Sequence, residues 1–145
     1  MPFPKFLACL LCCLALPAPG LAQGRHTKGE KPLSIAQGHN VELADFLVTK
    51  RTTIFIFTSE YHPACRTYNE PLLALHQRGS NLAVVKVNIN RPEYHEIDWE
   101  SPVARQYALS TKGLPHFKIF GPDGKLMVEG PEARQQVNEW LAEMK

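Results

Sequence analysis

The residues best suited to chemistry lie in one short segment, where a histidine precedes a cysteine by three positions. The segment reads His62-Pro63-Ala64-Cys65 and follows the aromatic Tyr61. Pro63 suits the first position of a helix, so Cys65 would lie in the first turn, where free N–H groups and the helix dipole stabilise a thiolate. A protonated His62 would add to that effect. Such a thiolate attacks disulfides or is oxidised to a sulfenic acid, whereas a shielded cysteine without a base behaves as a small apolar residue.

The first two dozen residues have the pattern of an export signal. Lys5 precedes a continuous apolar run over residues 6–16, and small residues precede a cleavage site ahead of Gln23. That run is shorter than the roughly 20 residues a membrane span needs. We expect a signal peptide over 1–22, a flexible leader over 23–33 and one domain over 34–145. The mature chain would be exported to the periplasm, or secreted if not retained, with no membrane span.

Removal of the signal leaves a single cysteine. Cys9, Cys12 and Cys13 leave with it, and Cys65 remains. One cysteine cannot form an internal disulfide, so the domain must be stabilised by its core. An odd cysteine in an exported protein indicates a reactive thiol or an intermolecular partner, and a Cys65-linked dimer is therefore one option.

The charges give no sign of a nucleic-acid ligand. The 16 Lys and Arg residues nearly balance 14 Asp and Glu residues, and the two signs are interspersed. No basic stripe interleaved with aromatic residues is present. We expect no nucleic-acid partner.

The elements that must position the cysteine alternate between helix and strand. Continuous β-branched and aromatic runs predict strands buried on both faces, and Ser101-Pro102 is a strong helix start. The predicted order is helix 40–47, capped by Asn40, strand 52–57, helix 63–78, strand 82–89, a helix from Ser101, strands 116–120 and 125–128, and helix 132–144. This order predicts an α/β domain with a central mixed sheet of four to five strands and helices on both faces.

With these elements placed, four segments resemble the thioredoxin-like superfamily in one order. Residues 56–66 resemble its strand-to-helix active-site segment, and residues 86–89 (KVNI) resemble its next strand. Residues 113–115 (GLP) resemble its cis-proline loop, and residues 117–125 resemble its closing hairpin. The chain is thus similar to exported bacterial thioredoxin-domain proteins, with an atypical His-Pro-Ala-Cys motif. The resemblance implies a thioredoxin fold.

The departures from the family pattern bear on the chemistry. The first cysteine of the family's pair is His62 here, and the family's buried carboxylate falls on Ile56. A dithiol releases a mixed disulfide by internal attack, and a lone thiol cannot. Exchange at Cys65 would therefore need an external resolving thiol.

The resemblance also implies a surface for a partner. Pro115 would lie against Cys65, the backbone of Leu114 would pair with an extended substrate, and Tyr61 would form the apolar wall of the site. The partners would be exported protein thiols and disulfides, or a small thiol such as glutathione. Cys65 and His62 would be the catalytic residues, with no cofactor. The rival reading is a redox-inactive binding or chaperone module that uses the cis-proline groove, so whether the chain is an enzyme stays open.

The remaining candidates are weaker. His62, Cys65 and His116 could converge as ligands for copper or zinc, but with no second cysteine we expect no metal site. His26, His39, His76 and His95 show no partner spacing and are expected on the surface. Trp99 lies in a segment, residues 91–100, that resembles an insertion, where it would form a lid or cover the sheet edge.

Overall fold

The computed structural model describes residues 26–145. The predicted signal peptide, with its three cysteines, and residues 23–25 lie outside that range. The strands are β1 (Leu33–Ile35), β2 (Thr52–Thr58), β3 (Leu82–Asn88), β4 (His116–Phe120) and β5 (Leu126–Glu129). The helices are α1 (Pro63–Arg66), α2 (Asn69–Arg78), α3 (Pro102–Gln106), α4 (Leu109–Lys112) and α5 (Pro131–Glu143), with a 3-10 helix at Leu43–Phe46. Within these residues, no helix has the length and apolar character needed to cross a membrane.

The strands form one mixed sheet in the order β1-β3-β2-β4-β5. The strands β1, β3 and β2 are parallel, and β4 runs antiparallel to both β2 and β5. The apolar run in β2 lies at the centre of the sheet. Its Phe55 and Phe57 belong to one apolar cluster with residues of α1, α3 and α4. Ile54 and Ile56 belong to the other cluster, with residues of α2 and α5. The continuous run thus reflects burial on both faces, as expected.

The predicted helix over 63–78 is two helices. The backbone leaves the helix at residues 67–68, between α1 and α2. Pro71 explains the break because it lacks the N–H that would bond the carbonyl of Thr67 four residues earlier. The predicted helix start at Ser101 is confirmed, since the Ser101 hydroxyl accepts a 3.3 Å hydrogen bond from the backbone N–H of Ala104. Near residue 40 the prediction is wrong: the only helix there begins at Leu43, and Asn40 does not cap it.

Part of the segment predicted as a flexible leader packs against the domain. His26 pairs with Val48 in an isolated bridge, and the Lys28 ammonium group donates a 2.6 Å hydrogen bond to the carbonyl of Gly79. β1, which the sequence analysis missed, follows directly. The expectation that His76 lies on the surface is also wrong, because its side chain is 2% exposed under this segment.

Candidate functional site

The loop from β2 to α1 places the predicted thiol at the end of the central strand. Cys65 is the third residue of α1, and its N–H donates a 3.0 Å hydrogen bond to the carbonyl of His62, the N-cap residue. Cys65 is a free thiol and is only 1% exposed. It lies in the same apolar cluster as Phe57 and Leu114. The structure therefore brings the cysteine and the proline loop together.

The immediate surroundings of the sulfur act on its pKa in opposite directions. Burial raises the pKa of the Cys65 thiol above its ordinary value. Hydrogen bonds from the Ser59 backbone and the Thr58 side chain, and the positive charge of Arg134, oppose that rise without cancelling it. The expected lowering of the pKa by the helix start is thus wrong. α1 has only four residues, so its dipole is small, and exclusion of water from the sulfur is the larger effect.

His62 lies next to the thiol without bonding to it. Its side chain makes no capping hydrogen bond to α1. Its buried Nδ1 atom has no hydrogen-bond partner among residues 26–145, and so it does not contact the Cys65 sulfur as a hydrogen-bonded base.

The proline loop contributes Leu114 to the apolar cluster that contains Cys65. The peptide bond between Leu114 and Pro115 is cis, and Leu114 is 6% exposed. The Pro115 carbonyl accepts a 2.7 Å hydrogen bond from Nη2 of Arg134 on α5. Arg134 was not among the predicted site residues. The only sequence signal for it is a basic side chain near the start of the last helix, and such residues are common.

Tyr61 contacts the 91–100 segment through its hydroxyl. Its hydroxyl lies 3.4 Å from Nδ1 of His95. The buried Asn90 side chain makes two hydrogen bonds near this contact. Its Oδ1 accepts from the Ser59 hydroxyl at 2.7 Å, and its Nδ2 donates to the Glu96 carbonyl at 2.6 Å. These bonds tie the 91–100 segment to the loop that carries Tyr61 and His62.

A buried ion pair closes the 91–100 segment. Nε and Nη2 of Arg91 donate to the two carboxylate oxygens of Asp98 at 2.7 and 3.0 Å. The Asp98 side chain is 1% exposed, and the bond from Arg91 lowers the pKa of its carboxyl. Trp99 packs against the apolar cluster that contains Cys65. Trp99 therefore covers part of the apolar core of the sheet.

His116 does not join the thiol in a metal site. It lies at the start of β4, with Nε2 3.7 Å from the Glu129 carboxylate. Burial, and then the charge of Lys112, lower the pKa of its imidazole. Nowhere in the described range are three His, Cys, Asp or Glu side chains grouped as the ligands of a metal ion would be.

The family's buried carboxylate has no counterpart beside the thiol. Ile56, which occupies its position, is 2% exposed and packs in the apolar cluster under α2 and α5. On the neighbouring strand, the ammonium group of Lys86 donates a 3.0 Å hydrogen bond to Asn69 on α2. Partial burial lowers the pKa of Lys86. These contacts join α2 to the sheet, and they supply no base near the sulfur.

Comparisons with known proteins identify the fold. No family model matches the chain, and no curated protein is detectably similar to it. Among solved structures, a mutant thioredoxin from Halobacterium salinarum is 14% identical, with a TM-score of 0.51 over 82% of this chain and 95% of that one. The long form of spinach chloroplast thioredoxin f is 11% identical, with a TM-score of 0.52 over 80% and 88%. Thioredoxin from Trypanosoma brucei brucei is 16% identical, with a TM-score of 0.50 over 79% and 91%. The mixed sheet and these neighbours show that the chain has a thioredoxin fold.

Proposed function

We propose that this thioredoxin-fold protein takes part in thiol–disulfide exchange through Cys65, with an external thiol resolving the intermediate. The observation that carries the proposal is the set of contacts around the sulfur. Cys65 lies at the start of α1 in the same apolar cluster as Leu114 of the cis-proline loop, and the Ser59 backbone, the Thr58 side chain and the charge of Arg134 act to lower the pKa of its thiol. These contacts would outweigh burial once a partner or a loop movement opens the sulfur to attack.

In the proposed step, the Cys65 thiolate attacks one sulfur of a partner disulfide. A new S–S bond forms to Cys65, the partner's S–S bond breaks, and its second sulfur leaves as a thiolate. His62 would take the proton of the thiol as its side chain turns toward the sulfur. Because no second cysteine follows in the motif, a protein thiol or a small thiol such as glutathione must attack the mixed disulfide to release the product.

A partner chain would contact the site along the proline loop. Neither backbone group of Leu114 bonds to another backbone group within residues 26–145, so both can pair with an extended segment beside Pro115. Tyr61, which is partly exposed, would form the opposite wall. With residues 1–22 as a signal peptide, the partners would be proteins of the periplasm or of the exterior.

A second candidate function is a redox-inactive binding or chaperone module that uses the same groove. The burial of Cys65 favours it, because a sulfur that is 1% exposed with a raised pKa resists both attack and oxidation. In that reading Cys65 is a packing residue and only the Leu114–Pro115 surface functions.

The test is to isolate the exported protein from cells after acid quenching and alkylation, and to analyse Cys65 by mass spectrometry. Exchange predicts mixed disulfides on Cys65 that disappear on reduction, with Cys65→Ala as the control. If Cys65 stays unmodified and the Cys65→Ala variant binds the same partners as the wild type, the result would favour the binding module. A non-reducing gel of the same sample distinguishes a Cys65-linked dimer, by its doubled mass, from a mixed disulfide with another thiol and from the unmodified protein.

A further inference from the structure

Arg134 carries a positive charge that no acidic side chain neutralises. Its Nη2 atom donates to the Pro115 carbonyl at 2.7 Å, which uses one of the five N–H donors of a guanidinium. No carboxylate of the described chain forms a salt bridge with it. The residue as a whole is exposed. Arg134 therefore keeps several donors available to a ligand next to the proline loop.

The charges around this loop do not cancel that of Arg134. The nearest acidic side chain on β5, Glu129, is already bonded to Lys118 at 3.3 Å and faces His116. Lys112 lies close enough to His116 to lower the pKa of its imidazole. The helix α5 carries the acidic residues Glu132, Glu139 and Glu143, and none of them forms a salt bridge with Arg134. The surface at the proline loop thus combines the guanidinium of Arg134 with a second cation near His116.

We propose that Arg134 is a specificity-determining residue that selects disulfides bearing a carboxylate, and that a small anionic disulfide of the glutathione type is the substrate. This inference rests on the exchange function proposed above. A disulfide that presents one sulfur to Cys65 and runs along Leu114 would bring a carboxylate on its chain to Arg134. A guanidinium binds a carboxylate through two parallel hydrogen bonds. Because the Pro115 carbonyl already holds Arg134 in place, less side-chain entropy is lost on binding.

The first step of this exchange needs no reagent other than the small disulfide, which supplies both the sulfur that bonds to Cys65 and the thiolate that leaves. The Cys65 thiolate attacks one sulfur of the disulfide, the S–S bond breaks, and one equivalent of the small thiolate leaves. The other half stays on Cys65 as a mixed disulfide with its carboxylate at Arg134. A thiol of a partner protein then attacks the sulfur of the bound half, so that Cys65 leaves as a thiolate and the partner protein carries the mixed disulfide with the small thiol.

The test compares two disulfides that differ in charge, oxidised glutathione and neutral hydroxyethyl disulfide, by the rate of mixed-disulfide formation on Cys65. We expect Arg134→Gln to slow the reaction with oxidised glutathione about 10-fold, the scale of a lost charge-assisted hydrogen bond, and to change the reaction with hydroxyethyl disulfide much less. Arg134→Lys should retain part of the preference, because the charge remains without the bidentate geometry. Added salt should weaken the preference in the wild type.

The matched control is Arg105→Gln, which removes the same charge from an exposed arginine that pairs with Glu100. It should leave the ratio of the two rates unchanged. An equal effect of Arg134→Gln on both disulfides, or no effect on either, overturns the selectivity proposal while leaving exchange intact. If wild-type Cys65 reacts with neither disulfide, the exchange function itself fails, and the selectivity proposal fails with it.

Discussion

The Nδ1 atom of His76 accepts a 2.9 Å hydrogen bond from the backbone N–H of Val84, which joins α2 to β3. The other ring nitrogen, Nε2, lies 2.8 Å from the carbonyl of Gly29. Since Nδ1 accepts, the proton must be on Nε2, where it is donated to Gly29. A neutral imidazole of one tautomer therefore connects a helix, a strand and the segment that precedes β1.

We predict from this arrangement that the protein loses stability as the pH falls below about 6.5, the ordinary histidine value. Burial lowers the pKa of His76, and the charges of Lys28 and Arg51 lower it further against the opposing bond to Gly29. Below the ordinary value the unfolded chain therefore binds a proton that the folded chain resists, so the free energy of unfolding decreases with decreasing pH. Urea unfolding between pH 5 and 8 measures this.

The His76 contribution can be separated from that of His116, whose pKa is also lowered by burial. His76→Gln should lower the free energy of unfolding at pH 7.5 by about 2 kcal/mol, through two lost hydrogen bonds at a buried site. It should also make the free energy of unfolding less dependent on pH below about 6.5. His39→Gln, at an exposed histidine, should do neither. An NMR titration that finds the His76 ring protonating at its ordinary value would contradict the prediction.

The strands β2 to β5 and the position of the thiol could be predicted because their signals are local. The run in β2 is apolar on both faces, and Ser101 caps its own helix. The role of His76 could not be predicted, since its partners are backbone groups 8 and 47 residues away. No side-chain pattern in the sequence marks a backbone acceptor.

The position of Cys65 in the first turn of a helix was predicted, but its burial was not. Placing Cys65 at a helix start predicts a lowered pKa, and burial under the neighbouring loops reverses the direction. Burial depends on how the whole sheet packs, which no local motif encodes. Arg134 was missed for a similar reason, because its partner is the carbonyl of Pro115, 19 residues earlier.

The ion pair between Arg91 and Asp98 should hold the 91–100 segment closed against α3 and the loop that carries Tyr61 and His62. Asp98→Asn removes the charge and leaves Arg91 without its carboxylate, so we expect the protection of amides in residues 91–100 against hydrogen exchange to fall about 10-fold. Because Arg91 holds the pKa of Asp98 below its ordinary value, this contribution is complete above about pH 3.9 and is lost as the pH falls through the lower, folded value.

The control for that experiment is Glu100→Gln. Glu100 pairs with Arg105 in the same region, but both side chains are mostly exposed, at 71% and 69%. Exposed ion pairs contribute little to stability, so amide hydrogen exchange in residues 91–100 should not change in this variant. Equal exchange in the two variants would indicate that the segment is held by Asn90 and Trp99 rather than by the ion pair.

The raised pKa of Cys65 predicts slow alkylation with a midpoint above about 8.5, the ordinary thiol value. Thr58→Val should move the midpoint higher still, because the valine lacks the hydroxyl that bonds to the sulfur. Thr111→Val, at an exposed threonine bonded to the Ala108 carbonyl, should leave it unchanged. The rate of iodoacetamide labelling against pH, followed by mass spectrometry, provides the measurement. A midpoint below the ordinary value would mean that burial is relieved in solution and that the sulfur is already activated.

The position of His62 predicts the effect of restoring a cysteine pair. Residue 62 is the N-cap of α1 and Cys65 is its third residue, so helical geometry puts their Cα atoms about 5 Å apart, within the range for a disulfide. In His62→Cys a mixed disulfide on Cys65 should be released by internal attack, at a rate independent of added glutathione. Release in the wild type should be proportional to glutathione, as should release in the control His62→Ser. If His62→Cys also needs glutathione, the sulfur of Cys65 is too deeply buried for its neighbour to reach, and the lone thiol cannot be the remnant of a working pair.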